Sequence, residues 1–280
     1  MRVNSWLFRA LEVYGTRVHH PGQWRAHAKL RRLLRANVDQ EFTVTRAGCC
    51  WQLNPADYTQ REFFWLGEKD SWDVFHLMRL VRPGAVILDI GANFGFYALT
   101  FARALARRTR IIAFEPFPST FRRLSANIAL NGLQDVIEAH PVALSDREGR
   151  ARMWSRPDNS GASAVLDEGT IEVPVTTLDG FTREAGLDRL DLIKIDVEGH
   201  EESVMRGASD VIVRHHPVLL VEIDPPKLHR ARTSPERVLR LLAELGYGLW
   251  VARRRRLEPL DRVPRGDTYV NVFGLPPSGT

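Results

Sequence analysis

The stretch Val86-Ile87-Leu88-Asp89-Ile90-Gly91-Ala92-Asn93-Phe94-Gly95 constrains the fold of this chain more than any other. Apolar residues suited to a strand run straight into a glycine-bearing turn, and residues 96–105 behind it read as a helix. Strand, glycine turn and helix in that order build a ligand crevice at the carboxyl ends of the strands in an open α/β sheet. Gly91 and Gly95 lack a Cβ, so the backbone can turn sharply and a ligand can lie against it. A plain tight turn would explain the glycines but not Asp89, because a buried apolar strand does not carry an unpartnered charge.

The same unit recurs. Residues 110–115 form an apolar run closing on Glu115, residues 190–196 one closing on Asp196, and residues 217–223 one carrying Glu222. Residues 121–130 between them are helical, stopped by Asn131-Gly132. Alternating strands and helices argue for a largely parallel sheet with right-handed crossovers. Asp89, Glu115, Asp196 and Glu222 should then converge on one crevice, which is costly without a ligand or cationic partner. Residues 136–146 read as a third strand running into a loop. Residues 149–154 and 171–175 are shorter peripheral strands, with a polar loop at 158–163 between them. Residues 248–251 and 268–273 fit a terminal antiparallel hairpin, with Arg253-Arg254-Arg255-Arg256 in its connection.

Upstream, residues 5–36 predict two short amphipathic helices broken at Gly15 and Pro21-Gly22. Residues 41–54 predict a small hairpin, and residues 62–67 and 72–81 two helices. The expected division is a basic helical and hairpin cap over residues 1–80, and a ligand-binding domain over 81–280. With 44% hydrophobic and 26% charged residues the chain is an ordinary globular one. Its net charge of +5 is concentrated in the first 35 residues and the arginine run. Those ends suit weak contact with an anionic membrane surface, or plain solvation. No basic stripe is interleaved with aromatics, so a nucleic-acid partner is not expected. The two cysteines, Cys49 and Cys50, are adjacent and fit a reducing, cytoplasmic setting. No apolar run reaches the roughly 18 residues of a membrane span. Oligomeric state is left open.

Glu115 lies twenty residues beyond Gly95, where a carboxylate takes both hydroxyls of a ribose. That spacing serves a dinucleotide or S-adenosylmethionine. The loop from Gly91 to Gly95 lacks the GxGxxG arrangement, and Asp89 would repel a pyrophosphate but suit an ammonium. A ligand with ribose and amino-acid parts therefore fits better than a nicotinamide dinucleotide.

The chain resembles the FkbM-type S-adenosylmethionine-dependent methyltransferases. The resemblance rests on Leu88-Asp89-Ile90-Gly91-Ala92-Asn93-Phe94-Gly95, Phe114-Glu115-Pro116, Asn127 to Gly132 and Val142-Ala143-Leu144-Ser145-Asp146. It continues through Thr177-Leu178-Asp179, Leu192-Ile193-Lys194-Ile195-Asp196-Val197-Glu198-Gly199-His200-Glu201 and Leu220-Val221-Glu222. It implies a Rossmann-like class I methyltransferase fold, α/β, with a mostly parallel seven-stranded sheet and an antiparallel C-terminal hairpin. It also implies S-adenosylmethionine as cofactor. Asp89, Gly91, Ala92, Asn93 and Gly95 would hold its methionine part and Glu115 its ribose. Pro116-Phe117 would lie against the adenine, and Ser145-Asp146 would reach the adenine edge.

Methyl transfer to a hydroxyl needs alignment, exclusion of water and a base. Asp196, Glu198 and His200 cluster at one strand end and are the candidate catalytic groups, Asp196 or His200 being the candidate base and Asp196 also a cofactor contact. They equally suit structural turn roles. Their oxygen and nitrogen atoms match no diagnostic metal set, so no metal is expected. The leading expectation is O-methylation of a small molecule such as a sugar or secondary metabolite. An Asn/Asp-Pro-Pro-Tyr type motif of amino-methylating enzymes is absent. The alternatives are a nicotinamide-dependent oxidoreductase and a non-catalytic module for anionic surfaces.

Overall fold

A computed structural model describes residues 5–18, 22–33, 39–67, 71–156, 159–165 and 169–277. The N-terminal segment up to residue 80, called the cap below, contributes helices α1 (Ser5–Arg17) and α2 (Gln23–Leu33), the hairpin β1 (Phe42–Arg46) and β2 (Cys49–Leu53), and helices α3 (Tyr58–Leu66) and α4 (Ser71–Leu80). The alternating part follows as β3 (Val86–Ile90), α5 (Phe96–Ala104), β4 (Arg110–Phe114), α6 (Pro118–Leu130) and β5 (Ile137–His140). A peripheral group comprises β6 (Ala143–Leu144), β7 (Gly149–Arg156), β8 (Asn159–Val165) and β9 (Ile171–Thr176). Then come α7 (Leu178–Glu184), β10 (Leu192–Ile195), α8 (Glu201–Arg206), α9 (Ser209–His215), β11 (Val218–Ile223), α10 (Pro225–Arg230) and α11 (Pro235–Glu244). Strands β12 (Gly248–Arg253), β13 (Arg256–Pro259) and β14 (Val270–Leu275) end the chain.

The main sheet runs β13-β12-β14-β11-β10-β3-β4-β5. Strands β11, β10, β3, β4 and β5 are mutually parallel, and β14 is inserted antiparallel between β11 and β12. The expected terminal pairing of residues 248–251 with 268–273 is present as β12 against β14. Among the described residues the sheet has eight strands rather than the seven expected. The arginine run is not a plain connection: Arg253 pairs with Arg256, and Arg254 turns the chain at φ 51° into the extra edge strand β13. A second correction concerns residues 159–163, expected as a loop. They form most of β8, paired with β7 in the sheet β6-β9-β7-β8. Asparagine, serine, glycine and alanine there carry no strand signature, and backbone pairing with β7 supplies what the side chains do not.

Gly15 does not break α1. A Cβ there would lie 2.1 Å from the carbonyl oxygen of Trp65, so the glycine lets α1 approach α3 closely. Helices α9 and α10 have no expectation to match. Pro21, residues 34–36 and Asp158, named in the expectations above, lie outside the described residues.

Side chains alternate between the faces of the central strands. Ile87, Ile111, Leu192 and Leu220 join one core layer with the cap, α5 and α6. Leu88, Ile112, Ile193 and Leu219 join the other with α7 to α11. Burial on both faces explains the near-continuous apolar runs. In the first layer the cap's Trp51 and Phe63 pack on Phe94, with ring centroids 5.9 Å away in each pair, and Phe63 lies 5.2 Å from Phe96. Cap aromatics thus brace the back of the glycine turn.

A candidate active site at the strand ends

A cleft of about 510 Å³ opens at the carboxyl ends of β3, β4, β10 and β11. Its floor is the turn after β3. Gly91 has φ 76°, Asn93 51° and Gly95 94°, and a Cβ on Gly91 would fall 1.9 Å from the carbonyl oxygen of Asp196. The turn therefore passes directly against the end of β10.

Asp89 is wholly buried beneath this turn. Its Oδ2 accepts from the Ala98 N–H at 3.1 Å, and its Oδ1 forms an ion pair with Lys194 Nζ at 3.4 Å. Burial pushes its carboxyl up and the Lys194 ammonium opposes that. Lys194 also donates to Gly91 O at 2.9 Å, pairs with Asp196 Oδ2 at 3.5 Å and lies over the Tyr97 ring. One lysine thus joins the glycine turn to the acids of two neighbouring strands.

Glu115 closes β4. Its Oε2 accepts from Asn93 N–H at 2.9 Å and its Oε1 from Phe117 N–H at 3.0 Å. Burial pushes it up to about 7, against those two hydrogen bonds. Each oxygen keeps a further lone pair for a ligand hydroxyl.

Beyond β10 and β11 lies a carboxylate group. Asp196, Glu198 and Glu222 each have an oxygen within 4.8 Å of the others. Lys227, from α10, reaches into it: Nζ is 2.9 Å from Glu198, 2.8 Å from Glu222 and 3.4 Å from Asp224. Burial pushes Glu198 up to about 7 against the pull of Lys227, and burial with the neighbouring Asp196 raises Glu222 well above its ordinary value. Burial works against the Lys227 charge, yet Glu222, Asp196 and Glu198 outweigh it and raise its pKa. These three carboxylates have the donor type of a hard-cation site, and the ammonium already bridges two of them.

The turn carrying Glu198 is held from behind. Glu198 has φ 59°, and Glu201 Oε1 accepts from the Val197 and Gly199 N–H groups at 3.0 and 3.1 Å. A side wall comes from β8 and α3. Asp57 accepts from the Ser160 N–H at 2.7 Å, Thr59 donates to Asn159 Oδ1 at 2.8 Å, and the Ser160 hydroxyl donates to Asn93 Oδ1 at 3.3 Å.

The cleft brings together Gly91, Ala92, Asn93, Glu115, Pro116, Asp196, Glu198 and His200. Asp89 and Gly95 stand behind its surface, under and after the turn. Ser145 and Asp146 are not among its lining residues: Ser145 bonds Thr176 O and Asp146, and Val142, Ala143 and Leu144 line the cleft in their place. Sequence reasoning missed Lys227, Asn271, Trp154 and Tyr269, which also line it. A lysine following Asp224-Pro225-Pro226 at a strand end was the one available signal, since proline there starts a helix that aims back at the crevice.

A parallel sheet in the order β5-β4-β3-β10-β11, an antiparallel β14 between β11 and β12, and a glycine-floored cleft at the strand ends define a Rossmann-like methyltransferase. The FkbM methyltransferase domain matches residues 89–249, and the chain belongs to that family. The 2-O-methyltransferase NoeI of Sinorhizobium fredii is 31% identical over 182 residues, 58% of this chain and 73% of NoeI. The 31-O-demethyl-FK506 methyltransferase FkbM of Streptomyces tacrolimicus is 31% identical over 188 residues, 55% of this chain and 69% of that protein. The antimetabolite synthetase AmbE of Pseudomonas aeruginosa is 26% identical over 250 residues, 75% of this chain but 11% of AmbE. This chain thus spans a small fraction of AmbE's length. Family membership displaces the oxidoreductase reading. Among the described residues no helix is long and apolar enough to cross a membrane.

Proposed function

We propose that the protein transfers the methyl group of S-adenosylmethionine to a hydroxyl of a small-molecule acceptor. The observation that carries this is the Glu115 carboxylate, buried beside the glycine turn with one lone pair of each oxygen committed to backbone N–H groups. Such a carboxylate is pre-aimed for two vicinal hydroxyls of a ribose. Gly91, Ala92, Asn93 and Gly95 form the bare backbone against which the amino-acid end lies, and Asp89 supplies the negative charge below it. Pro116, with Val142, Ala143 and Leu144, takes the adenine. The residues present fit the donor, because a side chain at position 91 would collide with Asp196 and close the floor.

When bound, S-adenosylmethionine supplies a methyl group already activated on a sulfonium. The chain's own work is then to align the acceptor oxygen, exclude water and receive the hydroxyl proton. Glu198, pushed up to about 7 by burial, is poised to accept that proton near neutral pH. Asp196 and His200 line the same wall and orient the acceptor. The names of two relatives, a 2-O- and a 31-O-methyltransferase, support oxygen as the accepting atom.

Calorimetric titration tests the reading. S-adenosylmethionine should bind, and Glu115→Ala should weaken it about a hundredfold, through loss of two hydrogen bonds to a charged group at roughly 1.5 kcal/mol each. Equal binding by wild type and variant, or none by the wild type, would sink it.

A further inference from the structure

Of the two basic ends of the chain, one is absorbed by the fold: Arg253 to Arg256 turn and pair within β12 and β13. The other is not. Residues 5–33 carry Arg9, Arg17, Arg25, Lys29, Arg31 and Arg32 against one acid, Glu12, a balance of +5 that equals the net charge of the entire chain. Hydrophobic side chains are exposed in the same place. Among the residues whose side chains are described, ten large hydrophobics are exposed, and Val13, Val18, Leu30 and Leu33 are four of them. Leu33, at 75%, is the most exposed of the ten.

Helical spacing sorts these residues by face. In α2, His27 and Arg31 stand four apart on the inner face, His27 buried and Arg31 partly so. Lys29 and Arg32, three apart, share an outer face, and Leu30 and Leu33 share the one beside it; all four are exposed. In α1, Leu11 and Gly15 are buried, whereas Ala10, Val13 and Arg17 fall on one exposed face. Trp65 of α3 orients both helices. Gly15 lies against its carbonyl oxygen, and the ring centroids of His27 and Trp65 are 5.4 Å apart. Gln23 ties α2 to α1 by donating to Tyr14 O and Gly15 O at 3.2 and 2.8 Å. The inner faces meet on Trp65, so the outer faces turn away from it together. Arg17, Lys29 and Arg32 have no ion-pair partner among the described residues.

We propose that the outer face of α1 and α2 docks on the surface of an anionic lipid bilayer. Anionic headgroups are laterally fluid and meet each cation where it stands, while Val13, Leu30 and Leu33 enter the boundary with the acyl chains. Lysine and arginine stems lie along that boundary with their charged ends among the headgroups. A second copy of the chain would set +5 against +5 on this face. Nucleic acid or a polyacidic peptide would answer the charge and leave the aliphatic side chains in water. Trp65 also ties this face to the cleft. Tyr58 and Thr59 at the start of α3 line the cleft, and Trp65 lies about 10 Å further along the same helix.

Vesicle co-sedimentation of the full chain tests this, with vesicles of phosphatidylcholine alone and of an equimolar mixture with phosphatidylserine. The wild type should bind the mixed vesicles about tenfold or more tightly than the neutral ones, and about 1 M salt should remove most of that difference. Lys29→Gln with Arg32→Gln should weaken binding about twentyfold, from about fivefold for each cation near an anionic surface. Leu30→Ser with Leu33→Ser should weaken it about tenfold at constant charge. Val13→Ser with Arg17→Gln, on the other helix, should also weaken it about tenfold, and keeps the test decisive if a change in α2 unsettles that helix. Thermal midpoint and S-adenosylmethionine affinity should stay at wild-type values, because these side chains are exposed and lie outside the cleft. The proposal is overturned if mixed vesicles bind no better than neutral ones, or if the cation pair of α2 and the pair of α1 both bind like wild type. It is equally overturned if the serine variant of α2 keeps full affinity, or if poly-L-glutamate or a DNA duplex binds as tightly as the mixed vesicles.

Discussion

A methyl group added at position 91 would sit 1.9 Å from the carbonyl oxygen of Asp196, on a backbone at φ 76°. Neither strain is relieved by rotating a side chain, because the obstacle is backbone. Gly91→Ala should therefore cost about 2–4 kcal/mol, combining left-handed strain with overpacking, and chemical denaturation would read it directly. S-adenosylmethionine affinity should fall with it, because β10 and the turn must separate to make room. An unchanged denaturation midpoint would mean that the turn is not clamped as described. Gly91 and Asp89 were legible in the sequence because a glycine after an apolar run, with an acid inside that run, has few structural explanations. Lys194 was legible only as a partner for some acid; which acids it joins depends on the pairing of β10 with β3. Lys227 carried only one signal, its place after Asp224-Pro225-Pro226 at a strand end; which carboxylates it reaches depends on how α10 packs against β10 and β11.

At the scale of elements, α6 links the cap to the cofactor turn through one side chain. Asn127 is fully buried; its Nδ2 donates to Phe94 O at 2.8 Å and its Oδ1 accepts from the Gln52 N–H at 2.7 Å. Asn131, one turn later, bonds both the N–H and the carbonyl of Cys50. The free edge of β2 is thus covered by Asn127 of α6 and Asn131 at its C-terminal end rather than by another strand. Asn127→Ala would orphan a carbonyl and an N–H in the interior, at about 1–3 kcal/mol each. The expected outcome is a protein destabilised by about 2–4 kcal/mol, with weakened S-adenosylmethionine binding although the residue touches no ligand. A variant that lost stability but bound the donor normally would show that the cap does not brace the turn. The hairpin and the helix were both readable from alternation and from the Asn131-Gly132 stop. Their junction was not, since a buried asparagine on a helix looks in sequence like any polar surface residue. The same limit explains β8, where Ser160 and its neighbours have no strand periodicity and acquire their pairing from β7 and their anchorage from Asp57 and Thr59.

For the whole molecule, charge is distributed unevenly. The chain carries a net +5, yet the cleft gathers acids. Glu115, Glu198 and Glu201 are pushed from an ordinary 4.5 to about 7, in each case chiefly by burial. A carboxyl whose pKa is raised on folding contributes stability that is complete below its unfolded value and lost as pH rises through the folded one. The unliganded protein should therefore lose stability between about pH 5 and pH 8. Glu202 runs the other way: Thr233, Arg237 and Arg206 overcome its burial and hold it at about 2. Its contribution is complete above 4.5 and lost only as pH falls toward 2, so it is constant across the window. Glu201 is the residue through which to test this, because it lies outside the cleft lining and its Oε2 is buried without a hydrogen-bond partner. Glu201→Gln keeps an oxygen to accept from Val197 and Gly199 while removing the ionisation. Thermal unfolding from pH 5 to 8 should show a shallower decline in the variant, which ends about 1–3 kcal/mol more stable than wild type at pH 8 and nearly equal at pH 5. Parallel curves for the two proteins would show that Glu201 ionises without cost, and that the pH dependence belongs to Glu115 and the Glu198–Glu222 pair alone.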